Sequence, residues 1–591
     1  MKHDLDNNAA CLARSGTGDK DPEVVIVGLG PTGLTLAHAL GIRGRRVLVL
    51  EREPEFYGNA RAVYTDGECM RIFQSIGMAQ VLMKDMLQDT PVQMVLPDGS
   101  VLFQIKNPHR PYGWPANNFF YQPLLETALA EGLGRYPNVT VLRGQALTRF
   151  EQDETGVDVF HAPATVSGYG RAGRSADTAP GEVRVRTRYL VGADGGRSTV
   201  RAQLGIAMTG VNFPNPWLVV DIKARNVADG LRHLPYFNFI CDPVCPTVSC
   251  VQPNGHHRFE FMLMPGQTRE EMERPETVRR HLGKYVDVDK FDILRTLVYT
   301  FNALMAARWR DRRVLLAGDA AHMTPQFIGQ GMNAGVRDAC NLAWKLDAVL
   351  LGQAGEALLD SYESERRPHA AAMTREGVRM KDFVSMVHPA GTALRNAATR
   401  LATRLPIVGR IVRQGDFIPK PTYCKGSYFG LSRRRWRGAE GRLMPQPSLR
   451  GPDGRRHLLD ELAGRGFTLI GAGCDPRAAL DDEGRGLWRS LGASYIALYP
   501  FGGRPEGRVE DAVPEGLIEA EDPDGSYFRW LRKCGGADGS VAIVRPDKFV
   551  FALVPGRDLS ETTREFARRM HRAAPPLEIH PCTHASRCPP A

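Results

Sequence analysis

The chain of 591 residues, 43% hydrophobic and 24% charged, has the composition of an ordinary globular protein and is too long for one core. Its 76 basic and 66 acidic side chains leave a net charge of +10, which favours anionic ligands such as carboxylates and dinucleotides and does not indicate nucleic acid. The 11 cysteines form no Cys-x-x-Cys pair, which argues against a metal site or disulfide framework, and no run of roughly 18 apolar residues suggests a membrane span.

Residues 1–21 are polar and small and read as a disordered lead; Asp4, Asp6 and Asp19 and the lack of an apolar stretch exclude a signal peptide, so a cytoplasmic protein is expected. The apolar run Val24-Val25-Ile26-Val27 leads into Gly28-Leu29-Gly30-Pro31-Thr32-Gly33 and then into the periodic segment Leu34 to Leu40, which places the glycines where a strand turns into a helix. Each glycine has a physical task there. Gly28 allows the tight turn, Gly30 lets the backbone approach a pyrophosphate, and Gly33 lets the helix pack on the strand. Free amides and the helix dipole then face the anion. A second strand, Arg46 to Leu50, ends at Glu51 and Arg52, where the Glu51 carboxylate can accept hydrogen bonds from ribose hydroxyls.

Val139 to Leu142 and Gly156 to Phe160 read as sheet segments leading to the strand Tyr189-Leu190-Val191, which closes in Gly192-Ala193-Asp194-Gly195. The stretch 163–181, rich in Ala, Gly and Ser and without periodicity, is expected to be an insertion between hairpin strands. From Ile206 to Leu304 the pattern alternates, as in Trp217 to Ile222 and His257 to Met264, which predicts a half-buried antiparallel sheet with Cys241, Cys245 and Cys250 at apolar strand positions.

The strand Arg312 to Ala317 ends in Gly318-Asp319, and the loop Pro325 to Gly331 feeds a helix with a core-facing stripe of Val336, Ala339, Leu342, Ala343, Leu346, Val349 and Leu350. That helix start selects the dinucleotide. Asp319 can accept from ribityl hydroxyls, while amides near Gly331, Met332 and Asn333 can donate to a flavin pyrimidine, which becomes anionic on reduction. A nicotinamide cofactor needs no such second site, so tightly bound FAD is expected and no metal.

Beyond Arg413, the segment 414–442 reads as a connector, its run Arg433-Arg434-Arg435-Trp436-Arg437 as a solvated stretch, and 443–574 as a smaller α/β unit with strands near Phe467 to Ile470 and Phe549 to Leu553. Gly471-Ala472-Gly473 imitates a dinucleotide turn, but Pro476 occupies the third glycine position, so no second nucleotide site is expected. Residues 575–591 are proline-rich and read as a loose tail.

In this order the motifs resemble the class A flavoprotein monooxygenases, the single-component aromatic hydroxylases. The segment Tyr189 to Arg201 is similar to that family's internal Asp-Gly motif, and Asn341 to Leu346 and Glu365-Arg366-Arg367-Pro368-His369 to further family segments. Gly113-Trp114-Pro115, Tyr121-Gln122-Pro123, Cys241-Asp242-Pro243, Arg258-Phe259-Glu260-Phe261-Met262 and Met264-Pro265-Gly266 resemble the 3-(3-hydroxyphenyl)propionate and 3-hydroxycinnamate hydroxylases. Two segments depart from that group: Tyr64-Thr65-Asp66-Gly67-Glu68, where a more acidic run is expected, and Gln326-Phe327-Ile328, where a Trp is often found.

The resemblance implies an α/β fold in which a Rossmann-like FAD-binding domain, residues 22–205 and 305–413, is interleaved with a β-sheet substrate domain, 206–304, and followed by a thioredoxin-like C-terminal domain. Without paired cysteines that last domain cannot exchange disulfides, and packing or dimerisation is its default role. The resemblance further implies that Arg61, Gln122, Asp194 and Gly195 contact FAD, that Arg201 lies near FAD and the donor, that Arg61 and Pro325 stand beside the flavin ring as catalytic candidates, and that NADH or NADPH binds transiently. Dioxygen would then supply one oxygen atom to the carbon ortho to a phenolic hydroxyl, giving 2,3-dihydroxy products from 3-(3-hydroxyphenyl)propionate or 3-hydroxycinnamate in aromatic catabolism. Tyr64, Tyr236, Met262, Gln326 and Phe327 are pocket candidates, and His322 is expected to support its loop. Two alternatives stay open: another phenol, resorcinol-like or a polyketide ring, and a non-catalytic flavin-binding regulatory protein. Sequence alone identifies neither the proton acceptor nor the oligomeric state, for which a homodimer stands as an option.

Overall fold

The computed structural model describes residues 21–56, 61–164, 181–227, 231, 233–428, 438–505 and 516–571. The lead before residue 21, the insertion from 165 to 180, the basic run 433–437 and the tail 575–591 lie outside the described residues.

The glycine turn sits where its flanking residues dictate. β1 (Val24–Val27), wholly apolar and buried, passes through the turn into α1 (Pro31–Gly41), and the chain returns through β2 (Val47–Glu51), parallel to β1. Parallel pairing requires a crossover, which α1 supplies while burying Leu34, Leu36 and Leu40 on the sheet. A hairpin of β3 (Val92–Val95) and β4 (Val101–Ile105) follows, then α2 (Gln122–Gly132), β5 (Val139–Arg143) and β6 (Tyr189–Gly192). Next come β7 (Trp217–Ala224), β8 (Phe237–Ile240), β9 (Thr247–Val251), β10 (His256–Met262) and β11 (Phe291–Tyr299). The short strands β12 (Arg310–Asp311) and β13 (Val314–Leu316) precede two long helices, α3 (Gln330–Leu350) and α4 (Asp360–Val384).

These strands form two sheets. The six-stranded one has the order β12-β13-β6-β1-β2-β5, with β6 pairing in parallel with both β1 and β13, so it joins chain from both sides of the 206–304 segment. The seven-stranded one has the order β11-β7-β10-β9-β8-β3-β4. Its β3–β4 hairpin comes from well before residue 206 and docks through β3 running parallel to β8, a long-range pairing that local periodicity does not reveal.

The expectation of a half-buried sheet is corrected: β7, β9 and β10 are buried almost throughout on both faces. On one face Leu218, Val220, Ile222, Phe259 and Phe261 pack with Met272, Val278 and Leu282. On the other, Trp217, Phe237, Phe239, Cys250 and Met262 gather with Phe301 and Phe327. The alternation in sequence is real, but its polar phase faces an internal cavity instead of solvent. Cys241, Cys245 and Cys250 are buried free thiols; Cys250 lies on β9, and the other two flank β8 and β9.

Beyond the connector, β14 (Ser448–Arg450), β15 (Arg456–Leu458), β16 (Thr468–Ala472), β17 (Ser494–Pro500), β18 (Leu517–Asp522), β19 (Ser540–Val544) and β20 (Val550–Pro555) form a seven-stranded sheet in the order β15-β14-β18-β17-β16-β19-β20. After β16 the chain enters a short 3₁₀ turn, Pro476–Ala479, so no α-helix start faces Gly471-Ala472-Gly473. Buried charges fix this unit to the two long helices α3 and α4. Glu365 on α4 accepts from Lys345 on α3 and from Arg545, each at 2.8 Å, and Asn341 donates to Asp547 at 3.2 Å. Among the described residues no helix is long and apolar enough to cross a membrane.

Candidate functional site

The three glycines of the first turn are constrained differently. Gly28 has φ +104°, and a Cβ there would lie 2.5 Å from the Ala193 carbonyl oxygen; at Gly33 it would lie 2.0 Å from the Gly28 carbonyl oxygen. Both positions are closed by the protein's own backbone. At Gly30 a Cβ would meet nothing within 4 Å. The missing side chain at Gly30 therefore leaves open a space that a closely approaching ligand can fill, beside the amides that begin α1.

Two carboxylates frame this space. Glu51 Oε2 accepts from Leu29 N at 2.8 Å and Oε1 from Glu53 N at 2.9 Å, so Glu51 fastens the turn to the end of β2 as well as facing the cavity. Asp194, at the end of β6, accepts from Val200 N through Oδ2 at 3.1 Å, while its buried Oδ1 has no partner among the described residues. Burial holds the Asp194 carboxyl above the usual carboxylate range. A buried acceptor left over in a protein-lined trough needs a donor such as a ligand hydroxyl.

Further along the trough, Gln122 opens α2 and spends its side-chain oxygen on Arg61 N and Ala62 N, at 2.5 and 2.6 Å, while its Nε2 donates to Glu126 at 2.5 Å. This fixes the Arg61 loop, whose guanidinium pairs with Asp319 at 3.7 Å across the trough. Burial pushes Glu126 up to about 7, against the Gln122 hydrogen bond and Arg61.

The far end is the start of α3, and a wholly buried ionic group sets its direction. Asp338 accepts from Gly318 N at 3.0 Å, from His322 Nε2 at 2.6 Å and from Arg366 at 2.8 Å. Burial alone would raise the Asp338 pKa, but His322 and Arg366 outweigh it and hold it below the usual carboxylate range. His322 is thus committed to holding the loop. α1 and α3 approach closely at Thr32, since a Cβ on Gly335 would sit 2.0 Å from the Thr32 hydroxyl.

A cavity of about 410 Å³ runs from Glu51 past Gly30 and Asp319 to the seven-stranded sheet of β3, β4 and β7 to β11, whose side chains form a chamber. That volume lies within the usual range for small-molecule sites. Val219, Phe237, Phe239, Leu297, Phe301 and Phe327 supply the chamber's apolar walls, and Arg258, Glu260 and Arg295 its charged groups. Arg258 donates to Asp221 at 2.6 Å and to the Arg61 carbonyl at 2.7 Å, and Arg295 pairs with Asp221 at 3.0 Å. Gln326 donates to Glu260 Oε2. Burial pushes Glu260 up to about 7, despite Arg258 and the Gln326 hydrogen bond, which both favour its charged form.

Of the residues singled out from sequence, Gly28, Leu29, Gly30, Pro31 and Thr32 line the cavity at its turn, and Glu51, Arg52, Arg61, Gln122, Asp194 and Gly195 along its length. Asp319, Gly331 and Met332 line the end at the start of α3, and Gln326 and Phe327 the chamber. Gly33, Gly318 and Asn333 lie behind the wall; Asn333 accepts from Thr65 and donates to Gly329 O at 2.8 Å, which ties down the start of α3. Pro325 also stands behind the wall, its carbonyl close to Gly377 of α4. Arg201 donates to the Ala320 and Gly196 carbonyls and so clamps two loops together. Tyr64 packs against Phe119 and Gly329 with its hydroxyl on the Ala116 carbonyl, Met262 is buried on β10 outside the wall, and Tyr236 is 36% exposed. Asp221, Arg258, Glu260 and Arg295 had no role assigned from sequence. Their signal was present in the charged residues at alternate positions of otherwise apolar strands.

The chain matches the FAD binding domain family over residues 21–377 and the HcaD C-terminal domain family over 441–569. It is 35% identical to the 3-(3-hydroxy-phenyl)propionate/3-hydroxycinnamic acid hydroxylase of Paraburkholderia xenovorans (strain LB400), covering 93% of this chain and 91% of that protein. The enzyme of the same name from Comamonas testosteroni is also 35% identical, over 94% of this chain and 98% of its own. In fold, the chain resembles aklavinone-11 hydroxylase in its ternary complex with FAD and aklavinone, with a TM-score of 0.72 over 94% of this chain and 99% of that one, at 24% identity. With an FAD-binding family match over most of its length and hydroxylases of one kind aligned nearly end to end, this chain belongs to the class A flavoprotein monooxygenases, the FAD-dependent aromatic hydroxylases.

Proposed function

We propose that the protein hydroxylates a phenolic acid ortho to its hydroxyl, converting 3-(3-hydroxyphenyl)propionate and 3-hydroxycinnamate to their 2,3-dihydroxy products, with NADH or NADPH as the transient donor. The observation that carries this reading is the single cavity joining a glycine-lined trough to an aromatic chamber that holds Arg258, Arg295 and Glu260. FAD, when bound, accepts two electrons from the donor and uses them to activate dioxygen.

The chain's own residues bind and orient. The amides of Gly30 and Thr32 and the α1 dipole would take the pyrophosphate at Gly30, Glu51 and Asp194 would accept from ribose-type hydroxyls, and Asp319 would take the ribityl chain. The N-terminal amides of α3 at Gly331 and Met332 would donate to a flavin pyrimidine, and the Arg61–Asp319 pair holds the loop that would lie beside the ring. Phe237, Phe239, Phe301 and Phe327 exclude water and stack against the substrate ring, which guards the activated oxygen from hydrolysis and sets the distance of attack. Arg258 and Arg295 bring two positive charges to the chamber wall, which attract an anionic guest. The 206–304 sheet is, in this reading, the substrate domain interleaved in the flavin-binding one. The 443–574 unit is a thioredoxin-like domain whose buried charges brace α3 and α4. A cytoplasmic homodimer belongs to the same reading.

A stopped-flow panel of hydroxylated aryl acids, with resorcinol and a polycyclic phenol included, tests this. The expected result is flavin reduction accelerated most by 3-(3-hydroxyphenyl)propionate, with a catechol as product. Stimulation only by resorcinol or the polycycle would reassign the substrate, and flavin binding without turnover would leave a regulatory protein.

A further inference from the structure

We propose that Glu260 takes the proton of the substrate's phenolic hydroxyl, and that Gln326 is the positioning residue that aims it; this inference rests on the phenolic-acid reading above.

Glu260 lies on the cavity face of β10, wholly inside the chamber, at the end nearest the loop that feeds α3. Across the ladders its partners are Val219 on β7 and Val248 on β9. The charged and titratable groups around it are Arg258 on its own strand, Asp221 on β7, Arg295 on β11 and the Cys250 thiol on β9; Gln326 from the loop is uncharged. Arg258 and Arg295 both turn to Asp221. Glu260 accepts a hydrogen bond from the neutral amide of Gln326, and an ionised carboxylate has about four acceptor sites to offer.

The proton balance is simple. The phenolic O–H bond breaks, its electron pair stays on the ring oxygen, and an O–H bond forms on Glu260. The electron-rich ring then takes one atom of dioxygen, as a hydroxyl, at the ortho carbon, and that carbon's hydrogen leaves as a proton that goes to the departing second oxygen atom. Glu260 returns its proton to the original ring oxygen. The second atom of dioxygen leaves as water, the two electrons coming from NADH or NADPH through the flavin. The positive charges of Arg258 and Arg295 on the chamber wall stabilise the phenolate meanwhile. Burial raises the proton affinity of Glu260 to about 7, nearer to that of a phenol at about 10 than an exposed carboxylate comes, which makes the transfer less uphill.

The test uses the FAD-loaded enzyme and 3-(3-hydroxyphenyl)propionate, reading the near-ultraviolet phenolate band of the bound substrate and product formation between pH 6 and 9. The wild type is expected to show the phenolate band at pH 8 and a hydroxylation rate that rises through about pH 7. Glu260→Gln is expected to lose the band and to form product about 100-fold more slowly or worse, with FAD content unchanged. Gln326→Leu should keep the band but move its midpoint to higher pH, because a donor to the ionised form is gone. A Glu260→Gln enzyme that keeps both band and pH profile overturns the inference. If that variant does not fold, infrared difference spectra of the wild type decide: a new protonated-carboxyl band on substrate binding at pH 8 supports the proposal, and its absence overturns it. A wild type that hydroxylates no phenolic acid overturns the underlying reading and this inference together, whereas an active wild type matched by the variant overturns only the inference.

Discussion

The trough and the chamber share one cavity but are built by opposite means. The trough is made of backbone: turns closed by Gly28 and Gly33, amides at two helix starts, and carboxylates at strand ends, all specified by short contiguous motifs. The chamber is made of side chains drawn singly from β7, β8, β9, β10, β11 and the loop before α3. Backbone recognition suits a cofactor that is the same in every member of a family. Side-chain recognition allows the substrate to change by a few substitutions, without touching the elements that hold the flavin.

The largest expected effect breaks the scaffold of the trough. Asp338→Ala leaves Arg366 and His322 buried without their anion and should cost about 3–5 kcal/mol of stability, measured by urea unfolding. An unchanged unfolding midpoint would remove the ionic group from the account.

Slightly smaller, and confined to the chamber, is a pH effect. The folded-state pKa of Glu260, about 7, lies above the unfolded value of about 4.5, so its contribution to stability is full below about pH 4.5 and is lost as pH rises through about 7. The loss is on the order of 3 kcal/mol at most. Glu260→Gln should therefore gain stability over the wild type between pH 5 and 8, as read from paired melting curves of the flavin-free protein. A constant offset across that range would contradict the burial argument.

Gly30→Val sharpens the comparison from the cofactor side. Its Cβ meets no protein atom within 4 Å, so the apoprotein should keep its stability within about 1 kcal/mol while FAD affinity falls about 100-fold, roughly 2.7 kcal/mol. Equal losses of fold and flavin would mean that the space at Gly30 is filled by protein. At the bottom of the scale, Tyr236→Ala lies outside the chamber wall and is 36% exposed, so stability should change by no more than about 0.5 kcal/mol and turnover hardly at all. A marked rise in KM would bring Tyr236 into the site.

The same division explains what the sequence reveals. The turn at Gly28 to Gly33 and the start of α3 are local, and their flanking strands and helices sit where periodicity places them. The β3–β4 hairpin was not legible, because its pairing with β8 depends on chain far away in sequence. In sequence, Glu260 stands out only as part of a segment that resembles the hydroxylases. In β10 charged residues alternate with aromatics, a pattern ordinarily read as a solvent face, and only the fold shows that this face looks inward. Gln122 illustrates a subtler gap: its side-chain oxygen holds the Arg61 loop, a second-hand influence on the cavity that no spacing rule predicts.

The most direct measurement supplies the FAD-loaded protein with NADH, 3-(3-hydroxyphenyl)propionate and isotopically heavy dioxygen, and weighs the product. The account predicts a 2,3-dihydroxy acid carrying one heavy oxygen atom. Consumption of NADH that yields only hydrogen peroxide, with the phenolic acid recovered unchanged, would contradict it.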